Sequence, residues 1–172
     1  MGHRLVQAAT TCPRWSDWWR AAQLTVAFGA IMVPLGLWSH LLTPTPAALP
    51  WRGSILMAGR ILIIPAILEE SFWRVLLLPH RTERVSDRNR WRLGLPMLAL
   101  FVLMHPFSAM GIYPVALTTF TDPIFLLATT GLGLICTIAY WRSGSGWVPV
   151  AMHGLIVWVW IMFLGGYGRL HG

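Results

Sequence analysis

With 56% hydrophobic and only 11% charged side chains, this 172-residue chain has too few polar groups to clothe a soluble domain of its size. Its net charge of +7 rests on 13 basic residues, all arginine, which stand beside apolar runs and so read as topology signals and contacts to anionic lipid headgroups; a nucleic-acid partner is not expected. Cys12 and Cys136 lie in unlike settings and give neither a disulfide framework nor metal-ligand spacing.

In chain order, MGHRLVQAATTCPRWSDWWR has no small-residue cleavage pattern after its apolar run, so the first span is read as retained. That span covers residues 21–42, interrupted by Pro34 and His40, and ends at the turn-rich TPTPAALP. The second, residues 53–79, is long for one crossing and is expected to tilt or kink near Pro65, whose ring removes a backbone hydrogen bond. Residues 93–110, 122–140 and 147–164 supply three more, with Asp122 as the N-cap of the fourth. The expected fold is all-α: a polytopic membrane helix bundle of about five transmembrane helices. It forms a single integral membrane domain over residues 1–172, with a motif-bearing core at about 53–166. No internal repeat is visible.

The loops orient this bundle. HRTERVSDRNRWR carries Arg81, Arg84, Arg88, Arg90 and Arg92, while Arg4, Arg14 and Arg20 precede the first span and Arg142 follows the fourth. The positive-inside rule puts the N-terminus and the 80–92 loop in the cytoplasm of a multi-pass inner (plasma) membrane protein, with Trp15, Trp18, Trp19, Trp91, Trp141 and Trp147 as an aromatic belt. RSGSG, between spans four and five, reads as a flexible cytoplasmic turn.

Against this background AILEESFWRVLLLPH stands out, for Glu69, Glu70 and Arg74 interrupt an almost pure hydrocarbon run. Each ionisable group at a helix centre costs about 2.5–3.5 kcal/mol to insert, so something must offset them. Glu70 and Arg74 are four apart and can pair on one helix face as a structural bridge. Glu69 is rotated by about 100° and has no such partner. Counted from the cytoplasmic ends, both glutamates lie roughly 15 Å deep, His105 roughly 18 Å and His153 roughly 9 Å. A shared, cytoplasm-accessible polar cavity built by spans two, three and five is therefore expected. In it Glu69, partnered by His105 beside a confined water, can act as a general base for hydrolysis. Taken singly, His105 also fits a helix-end histidine bonded to a carbonyl freed by Pro106, and His153 a satisfied core histidine.

Three motifs then occur in order on separate spans: EESFWR fits E-E-x-x-x-R, FVLMH fits F-x-x-x-H, and YWRSGSGWVPVAMH leads to a final histidine. Over residues 56–166 the chain resembles the CPBP family, the CAAX-protease and bacteriocin-processing (Abi) intramembrane endopeptidases. That resemblance implies cleavage of peptide bonds in or beside the membrane, often near the C-terminus of lipidated substrates. It implies that Glu69 activates water with His105, that Glu70 and Arg74 shape the site, and that His153 helps stabilise the oxyanion, without a cofactor. The sequence departs from the pattern in one place. Where many members end in H-x-x-x-N, residue 157 is Val, which cannot donate a hydrogen bond; Trp158 and Trp160 offer indole N–H groups nearby.

Two other readings compete. Zinc could be held by Glu69, His105 and His153, although adjacent carboxylates diverge on a helix whereas zinc helices present ligands at i and i+4. A catalytically silent membrane binder or immunity protein on the same scaffold would also explain Val157. The partners expected are the lipid bilayer and a membrane-associated peptide or protein; nothing in the sequence specifies an oligomeric state. Ser143, Ser145 and Asp122 do not make a serine or aspartyl protease, and Arg60 reads as snorkelling to the outer interface.

Overall fold

The computed structural model describes residues 2–171, and among them there are eight α-helices and no strand. A short α1 (Gly2–Thr10) precedes α2 (Trp15–Trp38). Helix α3 (Trp51–Ile61) continues into two π-helical stretches, Leu62–Glu69 and Ser71–Leu76, that meet at Glu70. After the arginine-rich loop come α4 (Asp87–Gly111), a 3-10 turn at Pro114–Ala116, α5 (Leu117–Phe120), α6 (Pro123–Ser143), α7 (Trp147–Phe163) and α8 (Gly166–His171). Helices α2, α4 and α6 are each long and apolar enough to cross a membrane, and α7 is a shorter apolar helix. With α3 and its π-helical continuation they make the polytopic all-α bundle that the composition requires.

Local chemistry sets the ends. Asp122 caps α6, accepting from the N–H groups of Ile124 at 2.7 Å and Phe125 at 3.1 Å, and Pro123 follows at a position whose missing N–H would be unpaired anyway. Ser86 caps α4 by accepting from the Asn89 N–H, which starts that helix several residues before the apolar run. Helix α6 ends on Gly144 at φ 69°, the left-handed conformation that glycine adopts without a Cβ clash. In the second span the expected kink is a longer feature: Pro65 lies inside a π-helical run. Its ring cannot donate to the preceding turn and crowds the carbonyl there, and a wider turn accommodates both.

Helix α6 is the central rod. Its apolar window is 44% buried, against 17% for α2 and for α4, and it packs on α2, α4 and α7. Ala21 of α2, Cys136 and Ala139 of α6 and Met152 of α7 close one core; Ile61, Ala116, Ile161 and Leu170 close a second. Outward-facing side chains such as Val26, Ile31, Leu100 and Phe107 are exposed hydrocarbon, as a lipid-facing surface requires.

The arginine-rich end is more ordered than its sequence suggests. Helix α1, for which the sequence reading gives no element, docks there: Ala8 is buried with Val75, Leu78 and Tyr140, its carbonyl accepts from the Gly146 N–H at 3.0 Å, and the Trp147 indole donates to Ala9 at 2.9 Å. RSGSG is not a flexible turn. Ser143 and Ser145 are buried, Ser143 Oγ donates to the Ala139 carbonyl at 2.8 Å and accepts from the Ser145 N–H at 3.1 Å. His80 is buried too, and its Nε2–H donates to the Gly144 carbonyl at 2.8 Å, so one loop closes upon the other.

Arg4 fastens α1 by donating to both Glu83 oxygens at 2.7 Å and to the Leu76 carbonyl at 3.1 Å. Its guanidinium, bonded to Glu83, holds that carboxyl below the usual glutamate range. The clamp is thus intact at and above the ordinary glutamate titration and is lost as pH falls through the lowered value. Surface pairs of this kind contribute about 0.2–1 kcal/mol, enough to govern local opening rather than unfolding of the bundle. Hydrogen exchange followed from about pH 6 to about pH 3 is expected to show α1 opening, after correction for intrinsic rates, only at the acid end. Glu83→Gln should speed α1 exchange by up to about fivefold across the whole range.

Candidate active site

On the widened helix the two adjacent glutamates part company. Glu70 has no exposed surface and points into the bundle, whereas Glu69 is half-buried and faces a cavity. Glu70 Oε1 gathers two partners: Arg74 Nη1 at 3.1 Å, one turn on, and His153 Nδ1 of α7, which donates to it at 2.7 Å. Arg74 and His153 are themselves buried. Three polar groups of two rods thus meet in one dry cluster.

Arg74 makes no well-aligned hydrogen bond through either Nη atom. It is held instead by the charge of Glu70 and by the Phe101 ring of α4, whose centroid lies 4.3 Å from its Cζ. Gly133 of α6 makes the space: a Cβ there would stand 3.0 Å from Arg74 Nη2, 3.0 Å from Phe101 Cδ1 and 2.5 Å from Leu98 Cδ1. Nothing but glycine fits without moving one of them.

His105 sits one turn beyond Phe101, and its Nδ1–H donates to the Phe101 carbonyl at 3.0 Å. A carbonyl only accepts, so this bond assigns the proton to Nδ1 and leaves Nε2 with its lone pair. The ring is walled by Phe101, Phe120 and Phe125 at centroid distances of 5.3, 5.3 and 5.6 Å.

Glu69, His105 and His153 line a single cavity of about 630 Å³. Within the described residues Glu69 makes no side-chain hydrogen bond, and its Oε2 is buried without a partner. The histidine bonded to a glutamate is His153, and its glutamate is Glu70; Glu69 and His105 face the cavity without a direct bond between them. The cavity wall comes from the later half of α4 (Met104, Ser108), the Ile112 that follows it and the early half of α6 (Phe125, Thr129), with Ile64, Arg60 and Leu41. It is mostly apolar and runs toward the end opposite the arginine-rich loop, rather than forming a polar inlet from that loop. The reason is visible above: docked α1 and the bonded loops fill the arginine-rich end.

Among the described residues no three His, Cys, Asp or Glu side chains are grouped to hold a metal; His153 is bonded to Glu70 and His105 to Phe101, each through Nδ1. On α7 the residues four and seven after His153 share its cavity-facing stripe: Val157, which brings no donor, and Trp160, whose indole Nε1 is buried without a partner. Trp158 packs on Phe163 instead. The sequence flags Phe101 only as a motif letter and Gly133 not at all; helical spacing from His153 is the signal that would have separated Trp160 from Trp158.

A family model described as type II CAAX prenyl endopeptidase Rce1-like matches residues 51–159, which carry Glu69, Glu70, Arg74, Phe101, His105 and His153. No curated protein and no solved structure gives a significant match.

Breaking a buried ion pair by removing one partner costs about 3–5 kcal/mol, since a charge is left stranded. Arg74→Met is expected at the lower end of that range, because His153 still donates to Glu70. In the Arg74→Met/Glu70→Gln double variant part of the loss should return, measured as thermal midpoints in detergent.

Proposed function

Since the chain belongs to the type II CAAX prenyl endopeptidase Rce1-like family, a family of membrane proteases, we propose that it is an intramembrane endopeptidase in which Glu69 activates a water molecule. The observation that carries this is the division of labour between adjacent carboxylates. Glu70 is turned away from the cavity and binds Arg74 and His153 through Oε1, whereas Glu69 makes no side-chain hydrogen bond and lines the cavity that it shares with the free Nε2 of His105.

In the proposed reaction a water lies between Glu69 and His105 Nε2. Glu69 accepts one proton as the oxygen attacks the scissile carbonyl carbon, and His105 Nε2 accepts a hydrogen bond from the other O–H, orienting the lone pair. The carbonyl π electrons move to oxygen and form the tetrahedral oxyanion. In this scheme His153 carries a proton on both ring nitrogens, Nδ1–H held by Glu70 and Nε2–H given to that oxyanion, and Trp160 adds the indole N–H that Val157 cannot replace. As the intermediate collapses, the C–N bond breaks and Glu69 returns its proton to the leaving amine. No metal takes part in this scheme.

The substrate class proposed is a membrane-associated, lipidated peptide, whose hydrocarbon the apolar cavity would accept; the family's description names a prenyl group. The arginine-rich loop and N-terminus are proposed to face the cytoplasm of the plasma membrane, by the positive-inside rule. Activity in purified protein should be insensitive to chelators, and farnesylated peptides should be cleaved in preference to their unmodified forms. Glu69→Gln should lower kcat by at least 10²–10⁴-fold, the usual worth of a positioned base, with expression and thermal midpoint unchanged. Equal cleavage by wild type and Glu69→Gln would overturn the role given to Glu69, and equal substrate retention by both without cleavage would favour the silent-binder reading.

A further inference from the structure

Phe101 touches every polar member of the cluster except the glutamates. Its ring face covers Arg74 at 4.3 Å, and its ring stands edge-on to His105 at 5.3 Å, to His153 at 6.4 Å and to Trp73 at 5.9 Å. Its carbonyl takes the His105 Nδ1–H at 3.0 Å. The residue is 1% exposed and could be read as ordinary core. The neighbours argue otherwise. Arg74, buried and with neither Nη in an aligned hydrogen bond, has only the Glu70 carboxylate and this ring face to compensate its charge. Gly133 leaves the space that lets ring and guanidinium meet, with both hypothetical Cβ contacts at 3.0 Å.

We propose that Phe101 is a positioning residue of the site, holding Arg74 through the electrostatics of its ring and through Arg74 fixing the Glu70–His153 pair. A leucine of similar bulk would fill the space and not do this. The aromatic quadrupole, negative on its face, attracts the cation; the same ring made electron-poor does not. This assignment rests on the endopeptidase reading for its kinetic consequence, but its physical core does not.

The test replaces Phe101 by mono-, di- and trifluorophenylalanine, which keep the ring's shape while draining its face of charge. Thermal midpoints in detergent should fall stepwise with fluorine count in the otherwise unchanged protein, and the steps should vanish in an Arg74→Met background. On a cleavable farnesylated peptide kcat should fall in the same order, by about two- to thirty-fold across the series, with KM unchanged. A flat melting series, or equal steps in both backgrounds, overturns the proposal, as does a graded melting series accompanied by constant kcat. If the unsubstituted protein cleaves no peptide, the endopeptidase reading fails, and the dependence of the melting series on Arg74 still decides whether the ring holds the guanidinium.

Discussion

A carboxylate with no exposed surface, inside a bundle that itself is built for hydrocarbon, is the constraint around which the molecule is organised. Glu70 can occupy that position only because one of its oxygens is met at 3.1 Å by Arg74 and at 2.7 Å by His153. A stranded charge there would cost several kcal/mol, so each partner must arrive with its own support. Arg74 needs the Phe101 face and the space left by Gly133; His153 needs α7 packed against the π-helical stretch. The cluster thereby ties together α4, α6, α7 and the second span at one point. Buried polar networks of this sort add little net stability over a hydrocarbon core, and their use is to fix one arrangement.

The π-helical backbone is what makes that arrangement compatible with chemistry. Two neighbouring glutamates on any helix point in different directions, and only Glu70 is met by Arg74 and His153. The wide turns around Pro65 send Glu70 inward and leave Glu69 on the cavity wall. Stretches of i→i+5 bonding are uncommon and concentrate at functional sites. Here the proline supplies the local cause.

The fold was legible because it is written in composition: long apolar runs, arginines between them, and capping residues such as Asp122 at the mouths of helices. The Glu70–Arg74 pair was legible too, since four residues on a helix bring two side chains to one face. What escaped depended on long-range packing. Nothing local tells His153 to choose Glu70 over Glu69, because the choice is made by how α7 sits against the second span, 83 residues away in sequence. Helix α1 escaped because nine residues of mixed polarity carry little signal until Val75 and Tyr140 are present to bury Ala8. RSGSG was misread for the opposite reason: small, polar residues suggest mobility in isolation, and here their hydroxyls satisfy the backbone of a buried turn.

The shape of the cavity follows from the same accounting of polar groups. Sequence depth alone suggested a polar inlet from the arginine-rich side, yet on that side hydrogen bonds join α1 and the loops: Arg4 to Glu83, His80 to Gly144, Trp147 to Ala9. An open aqueous channel would have to break these bonds. The unfilled volume lies beyond the cluster, where most of the wall is Ile, Leu, Val, Phe and Met and few hydrogen bonds are forfeited by leaving space. A hydrocarbon-lined chamber floored by a carboxylate and two imidazoles admits an apolar chain readily and water sparingly. That asymmetry would suit the proposed hydrolase, which must let in a greasy substrate and ration its second reactant. In the proposed reaction that water is held where Glu69 and His105 offer it partners.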